Sequence, residues 1–224
     1  MVFLLHLDSS AHRAGESTTR QLTGLFARHW LAGHRDAGYR YRDLAAEPVA
    51  PIGEAYCDLG RRVERHGTAF AGEQLIRTAA ERREWNWTRE LADEVLACDV
   101  LLLGAPMYNY SAPAALKAWI DRVSFPGVFH GPGGAPLLAG LRVVVVTACG
   151  GAYGPGTNAE SRDFLTPYLR SYFVKQGVPA VNIEIVTADL TLAWLVPGRE
   201  PQQPAAAAAF AAAQDRLIQL AESR

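Results

Sequence analysis

Short, wholly apolar runs alternate along this chain with longer stretches whose apolar residues return every three or four positions. Val2 to Leu7 is the first such run, and the polar loop Asp8 to Glu16 bounds it, which predicts a strand buried on both faces. Ser17-Thr18-Thr19 opens a helical pattern carried by Leu22, Leu25, Phe26 and Trp30, with Gly33 as its stop. Tyr39 to Leu44 reads as a second, shorter strand, followed by the proline-punctuated stretch Glu47 to Gly53. Residues 54 to 98 read as helical in two or three pieces, with breaks near Gly67 and Gly72.

Val100 to Ala105 is a third buried strand, and Pro113 begins a helix whose stripe is Leu116, Trp119, Ile120 and Val123. Leu141 to Ala148, with four consecutive valines, is the plainest strand in the chain. A helix from about Glu160 to Gln176, a fifth strand from Val181 to Thr187 and an alanine-rich helix from Pro204 complete the pattern. Five strands, each followed by helical sequence, predict an α/β fold: a parallel sheet with helices on both faces. No internal repeat or long linker divides it, so residues 1–224 read as a single domain.

Composition narrows the class of function. The net charge is −1, from 22 basic and 23 acidic residues, so there is no basic field for nucleic acid. Arg61, Arg62 and Arg65 read as the solvated side of a helix. Cys57, Cys98 and Cys149 form no C-x-x-C pair and no metal-ligand spacing, and their odd, sparse number points to a reducing, cytoplasmic setting. His29 and His34, five apart without a carboxylate complement, read as surface residues, so no metal site is expected. Met1 to Leu7 is too short for a signal-peptide core, and no apolar stretch reaches the length of a membrane span.

In an open parallel sheet, ligands bind beyond the carboxyl ends of the strands. After strand one come Asp8-Ser9-Ser10 and Gly15-Glu16-Ser17-Thr18-Thr19; hydroxyls and free N–H groups at a helix start can hold a phosphate, and they can equally just cap the helix. After strand three comes Pro106-Met107-Tyr108-Asn109-Tyr110, a flat apolar surface with an amide, suited to an aromatic ring, or an aromatic-rich turn. After strand four comes Thr147-Ala148-Cys149-Gly150-Gly151, then Tyr153; paired glycines admit a ligand close to the backbone, or simply turn the chain. A P-loop, a G-x-G-x-x-G dinucleotide turn and a G-x-S-x-G nucleophile elbow are all missing.

On these loops the chain resembles the FMN-dependent, NAD(P)H-linked azoreductases and quinone reductases of the flavodoxin-like superfamily. The resemblance runs from Ser9-Ser10 through Pro106-Met107-Tyr108-Asn109 and Leu116-Lys117-x-x-x-Asp121 to Gly150-Gly151 and Thr166-Pro167-Tyr168-Leu169. It implies a flavodoxin-like sheet in the order 2-1-3-4-5. It further implies that Ser9, Ser17, Thr18 and Thr19 hold the FMN phosphate, that Pro106 to Tyr110 lie along the isoalloxazine with the Asn109 amide near its polar edge, and that Thr147 to Gly151 flank its other side. Tyr108, Phe129, His130 and Tyr153 are the implied substrate contacts. The chain departs from the family at Thr147-Ala148-Cys149, where a hydroxyl and a basic residue usually precede the glycines, and at Gly127-Val128-Phe129-His130, so the likeness extends to the cofactor and not to the acceptor.

The expected activity is transfer of hydride from NADH or NADPH through bound FMN to a quinone or azo aromatic acceptor, in alternate-substrate fashion. The chemistry is borne by the cofactor, and no catalytic side chain is required. An electron carrier that oxidises no nicotinamide, a reductase dedicated to an aromatic natural-product intermediate, and a structural or regulatory protein that has lost its flavin are compatible with the same residues. The resemblance also implies a homodimer with composite active sites. Trp85, Trp87, Phe125, Phe129 and Tyr153 supply apolar aromatics for such an interface.

Overall fold

The computed structural model describes residues 1–13, 15–67 and 72–223. Its centre is a five-stranded parallel sheet in the order β2-β1-β3-β4-β5. The strands are β1 Phe3–Asp8, β2 Gly38–Asp43, β3 Val100–Pro106, β4 Arg142–Ala148 and β5 Ile183–Ala188. The α-helices of the described residues are α1 Thr18–Gly33, α2 Glu54–His66, α3 Ala79–Ala97, α4 Ala114–Val123, α5 Thr166–Lys175 and α6 Gln203–Glu222.

The period-two alternation of each strand sorts the core into two layers. Leu4, Leu102, Val144 and Val146 point to one face, where Leu22, Phe26 and Trp30 of α1 and Leu217 of α6 cover them. Leu5, Leu7, Leu101, Leu103, Val143 and Val145 point to the other, under α2, α3, α4 and α5. Each fully buried Leu or Phe of these layers stabilises the fold by about 1.5–3 kcal/mol. The chain reverses direction across the sheet between β1 and β3, and the carboxyl ends of both strands open on one edge.

Two expectations are corrected. The helix expected from Glu160 begins only at Thr166; a 3₁₀ turn at Glu160–Arg162 precedes it. Asp163 explains the delay, because its carboxylate accepts from the N–H groups of Leu165 and Thr166 at 2.9 Å and so caps the helix start, with Pro167 in the first turn. Arg62 is not merely solvated: its side chain is 17% exposed and pairs with the buried Glu81 at 2.5 Å, joining α2 to α3.

The aromatics expected at an interface divide as well. Trp85 and Phe125 are buried and meet edge to face at 5.3 Å, and Phe129 is in the same core. Trp87 alone of the pair on α3 is exposed, at 48%. Arg122 lies almost wholly buried beneath it, paired with Glu84 and donating to the Ala50 and Pro51 carbonyls at 2.8 and 3.0 Å. That guanidinium fixes the loop between β2 and α2.

Candidate functional site

A cleft of about 550 Å³ opens at the carboxyl ends of β1, β3 and β4, a size usual for small-molecule sites. One end is the start of α1. Ser17 is the N-cap, its Oγ accepting from Arg20 N at 3.3 Å and lying 3.1 Å from Thr19 Oγ1. The Ser17 carbonyl accepts from Gln21 N, which leaves the N–H groups of Thr18 and Thr19 at the open helix end. The first turn contains no acidic residue, so its partial positive charge is not neutralised from within. Ser10, Ser17, Thr18 and Thr19 line this end together with His12 and Glu16, themselves an exposed pair at 3.9 Å.

The floor is Pro106, Met107 and Tyr108 at the end of β3. Met107 N donates to Ala148 O at 2.9 Å, which locks this exit to that of β4. Tyr108 and Ser111 exchange two backbone hydrogen bonds of 3.0 Å around Asn109 and Tyr110, both with positive φ, the geometry of a tight type I′ turn. Asn109 and Tyr110 therefore form an exposed tip and do not line the cleft. Tyr110 instead meets the Tyr153 ring edge-on at 6.0 Å.

The far wall comes from beyond β5. Thr191, Leu192 and Leu195 line the cleft opposite Ala148 and Gly150. This strap ties down the glycine loop by its carbonyls: Thr191 N and Oγ1 donate to Cys149 O at 3.0 and 3.2 Å, Arg199 Nη1 to Gly150 O at 3.2 Å, and Leu190 N to Gly151 O at 3.2 Å. A Cβ at Gly150 would stand 2.6 Å from Leu192 Cδ1, so only glycine allows the strap this approach. The N–H groups of Gly150, Gly151 and Ala152 consequently turn away from the strap, since the two ends of a trans peptide point oppositely.

Strand pleating divides the five residues Thr147 to Gly151 that sequence reasoning grouped. Ala148 and Gly150 face the cleft, whereas Thr147 Oγ1 donates to Thr187 Oγ1 at 2.8 Å and Cys149 points to a second cavity of about 660 Å³. Tyr153 lines that second cavity with Asp163 and Asp189. Burial pushes the Cys149 thiol up to about 12 and raises the Asp189 carboxyl above its ordinary value.

Other expectations move in the same way. Ser9 is buried and donates its hydroxyl to Gly104 O at 2.7 Å, so it braces β3, and Ser10 takes the place at the cleft. Phe129 is a core residue, and His130 lines a separate cavity with Glu73, Trp85 and Arg89. Lys117 and Asp121 form an ion pair one turn apart on α4, away from the cleft. The exits of β1, β3 and β4 do not reveal the strap, which follows β5; the apolar run Leu192 to Val196, at the same sheet edge, is its signal in the sequence.

Comparison with known proteins bears on the fold that carries this cleft. Residues 4–217 match the family model described as "Flavodoxin-like fold". A chain from Nocardia farcinica named FMN-dependent NADH:quinone oxidoreductase is 40% identical over 223 residues, covering 98% of both chains. One of the same name from Streptomyces coelicolor is 37% identical over 198 residues, covering 86% of this chain and 81% of that one. Among solved structures, an azoreductase from Bacillus anthracis superposes with a TM-score of 0.81 at 19% identity, covering 99% of each chain. An FMN-dependent NADH-azoreductase from the same organism, in complex with FMN, gives 0.76 at 18% identity, covering 99% of this chain and 100% of that one. The chain thus belongs to the flavodoxin-like family, together with the relatives named FMN-dependent NADH:quinone oxidoreductase.

Proposed function

We propose that this protein is an FMN-dependent oxidoreductase that takes hydride from NADH or NADPH and delivers it to quinone or azo aromatic acceptors, the two substrates occupying one cleft in turn. The observation that carries the reading is the donor set at the α1 terminus. Four hydroxyls and two helix-end N–H groups converge where no described lining residue is Lys or Arg, and an apolar shelf, Met107 and Tyr108, begins beside them. That chemistry fits a phosphate joined to a flat aromatic group. When bound, FMN would supply the hydride-accepting and hydride-donating ring.

The chain's own residues have defined tasks in this reading. Ser10, Ser17, Thr18 and Thr19 hold the phosphate. Pro106, Met107 and Tyr108 support one side of the ring, and Ala148 and Gly150 approach its edge. Leu192 shields the far wall from water, where transfer of hydride gains from a dry site. The Cys149 thiol, protonated at neutral pH and facing away, takes no part.

The same reading includes a homodimer with composite sites in the cytoplasm. Support comes from exposed apolar side chains on the loops at this end of the sheet: Tyr110, Phe164, Trp194 and Leu195 are 43%, 59%, 60% and 75% exposed. No helix among the described residues is long and apolar enough to cross a membrane.

The test is to purify the chain, release any flavin by heat, identify it by chromatography, and assay NADH and NADPH oxidation with a simple quinone and an azo dye. FMN, with acceptor-dependent nicotinamide oxidation, is the expected result. FAD, or no binding after FMN is added, overturns the reading. Bound FMN without nicotinamide oxidation makes the protein an electron carrier.

A further inference from the structure

Behind the phosphate end of the cleft lies a guanidinium that never reaches it. The Arg20 side chain is 8% exposed and folds back from the first turn of α1 beneath the loop that follows β1. Nη2 donates to Ser10 O and to Asp43 Oδ1, each at 2.7 Å, and Nη1 donates to Tyr41 Oη at 2.8 Å, 3.8 Å from Asp8 Oδ2. Two carboxylates thus stand under the loop with the guanidinium between them, and His6 Nε2 lies 3.5 Å from Asp8 Oδ2. Both are otherwise committed: Asp8 accepts from Thr23 and Tyr41, and Asp43 from the N–H groups of Ala45 and Ala46.

The contact to Ser10 continues toward the cleft. Ser10 O and Ala11 N belong to one peptide, and Ala11 N donates to Tyr108 Oη at 3.1 Å. A charge-assisted bond to the carbonyl polarises that peptide and strengthens its N–H as a donor. With its oxygen lone pair so engaged, the Tyr108 hydroxyl keeps its own proton available to the cleft it lines.

We propose that Arg20 is a positioning residue for phosphate recognition: it fixes the Ser10–Ala11 peptide and Tyr108, and it neutralises Asp8 and Asp43, which would otherwise face a phosphate dianion from below. The inference rests on the FMN reading and deepens it. It makes phosphate affinity depend on a cation that touches no ligand. Loss of Arg20 leaves two poorly screened carboxylates behind the loop, and Coulomb repulsion in a partly buried site then acts on the charged end of the ligand alone.

Riboflavin, which has the ring and ribityl chain without the phosphate, separates this role from simple support of the fold. The full chain, stripped of flavin, is titrated with FMN and with riboflavin for the wild type, Arg20→Lys, Arg20→Met and the double variant Arg20→Met with Asp43→Asn. The double variant removes one of the stranded carboxylates and guards against misfolding. The expected result is an FMN dissociation constant raised by ~10-fold or more in Arg20→Met and partly restored in the double variant, with riboflavin changed by no more than about twofold and Arg20→Lys intermediate. Equal losses for both ligands, or no loss for either, overturn the role of Arg20. A wild type that does not favour FMN over riboflavin overturns the phosphate cleft itself.

Discussion

The Ala11 amide donates to the Tyr108 hydroxyl at 3.1 Å, and through that single bond the loops after β1 and β3 are held across the cleft. The residues are 97 positions apart in the chain. Tyr108→Phe removes the acceptor and the hydroxyl that Tyr108 offers the cleft together. We expect a stability loss of about 1 kcal/mol and an FMN affinity reduced by roughly tenfold, read by chemical denaturation and by flavin fluorescence titration. Unchanged affinity would place the ligand away from Tyr108.

Ser9 and Ser10 are adjacent and should fail differently. Ser9→Ala removes the hydroxyl from the Gly104 carbonyl, which keeps the Ser9 N–H at 3.1 Å, so it should cost about 0.5–1.5 kcal/mol of stability with little change in FMN affinity per folded molecule. Ser10→Ala gives up only the long bond from His12 N at 3.3 Å, a loss of about 0.5 kcal/mol, and weakens FMN. The two variants compared in one melt-and-titration series decide the assignment, and the reverse pattern would restore Ser9 to the ligand.

Cys98 and Cys149 are buried with thiols pushed up to about 12, while Cys57 is exposed. At pH 8, iodoacetamide should label the native protein once, at Cys57, by mass spectrometry. The sign of the pH effect follows from linkage. In the unfolded chain the two thiols ionise near pH ~8.5, and in the native state only near 12, so stability is full below about pH 8.5 and falls as pH rises toward 12. Replacing both by serine should flatten that alkaline decline in urea melts, and an identical decline would assign it to other groups.

Gly150→Ala puts a Cβ 2.6 Å from Leu192 Cδ1 and 2.8 Å from Leu192 Cγ. The strap must yield, at a cost of about 1–3 kcal/mol. Leu192→Ala in the same chain should recover most of that cost, giving a coupling energy well outside additivity in a double-mutant cycle. Additive effects would mean that the loop, rather than the strap, accommodates the methyl group.

The sheet was legible because buried parallel strands are continuous apolar runs, and the four valines of β4 admit no other reading. The start of α5 was not, because the apolar pattern runs through Asp163 while the cap is made by one carboxylate on two amides. The phosphate end of the cleft was legible from Ser17 to Thr19, where hydroxyls and helix start coincide. Ser9 and Ser10 were indistinguishable by type, and only the direction each takes on leaving β1 separates them. Likewise, Ala148, Cys149 and Gly150 are consecutive in sequence and serve two cavities in space, because successive residues of extended chain face opposite ways. Arg20 gave no sequence signal at all: its partners lie on two other segments, Ser10 in the loop after β1 and Tyr41 and Asp43 on β2.

The strap also imposes an order on manufacture. A growing chain that has released residues as far as β4 already has Ser10, Ser17 and Tyr108, but it has neither Thr191, Leu190 nor Arg199 to hold the carbonyls of Cys149, Gly150 and Gly151. Its cleft would have a closed end and an open side. The far wall comes into being only once the chain has been released past Arg199, so a cleft walled on both sides follows the sheet rather than templating it.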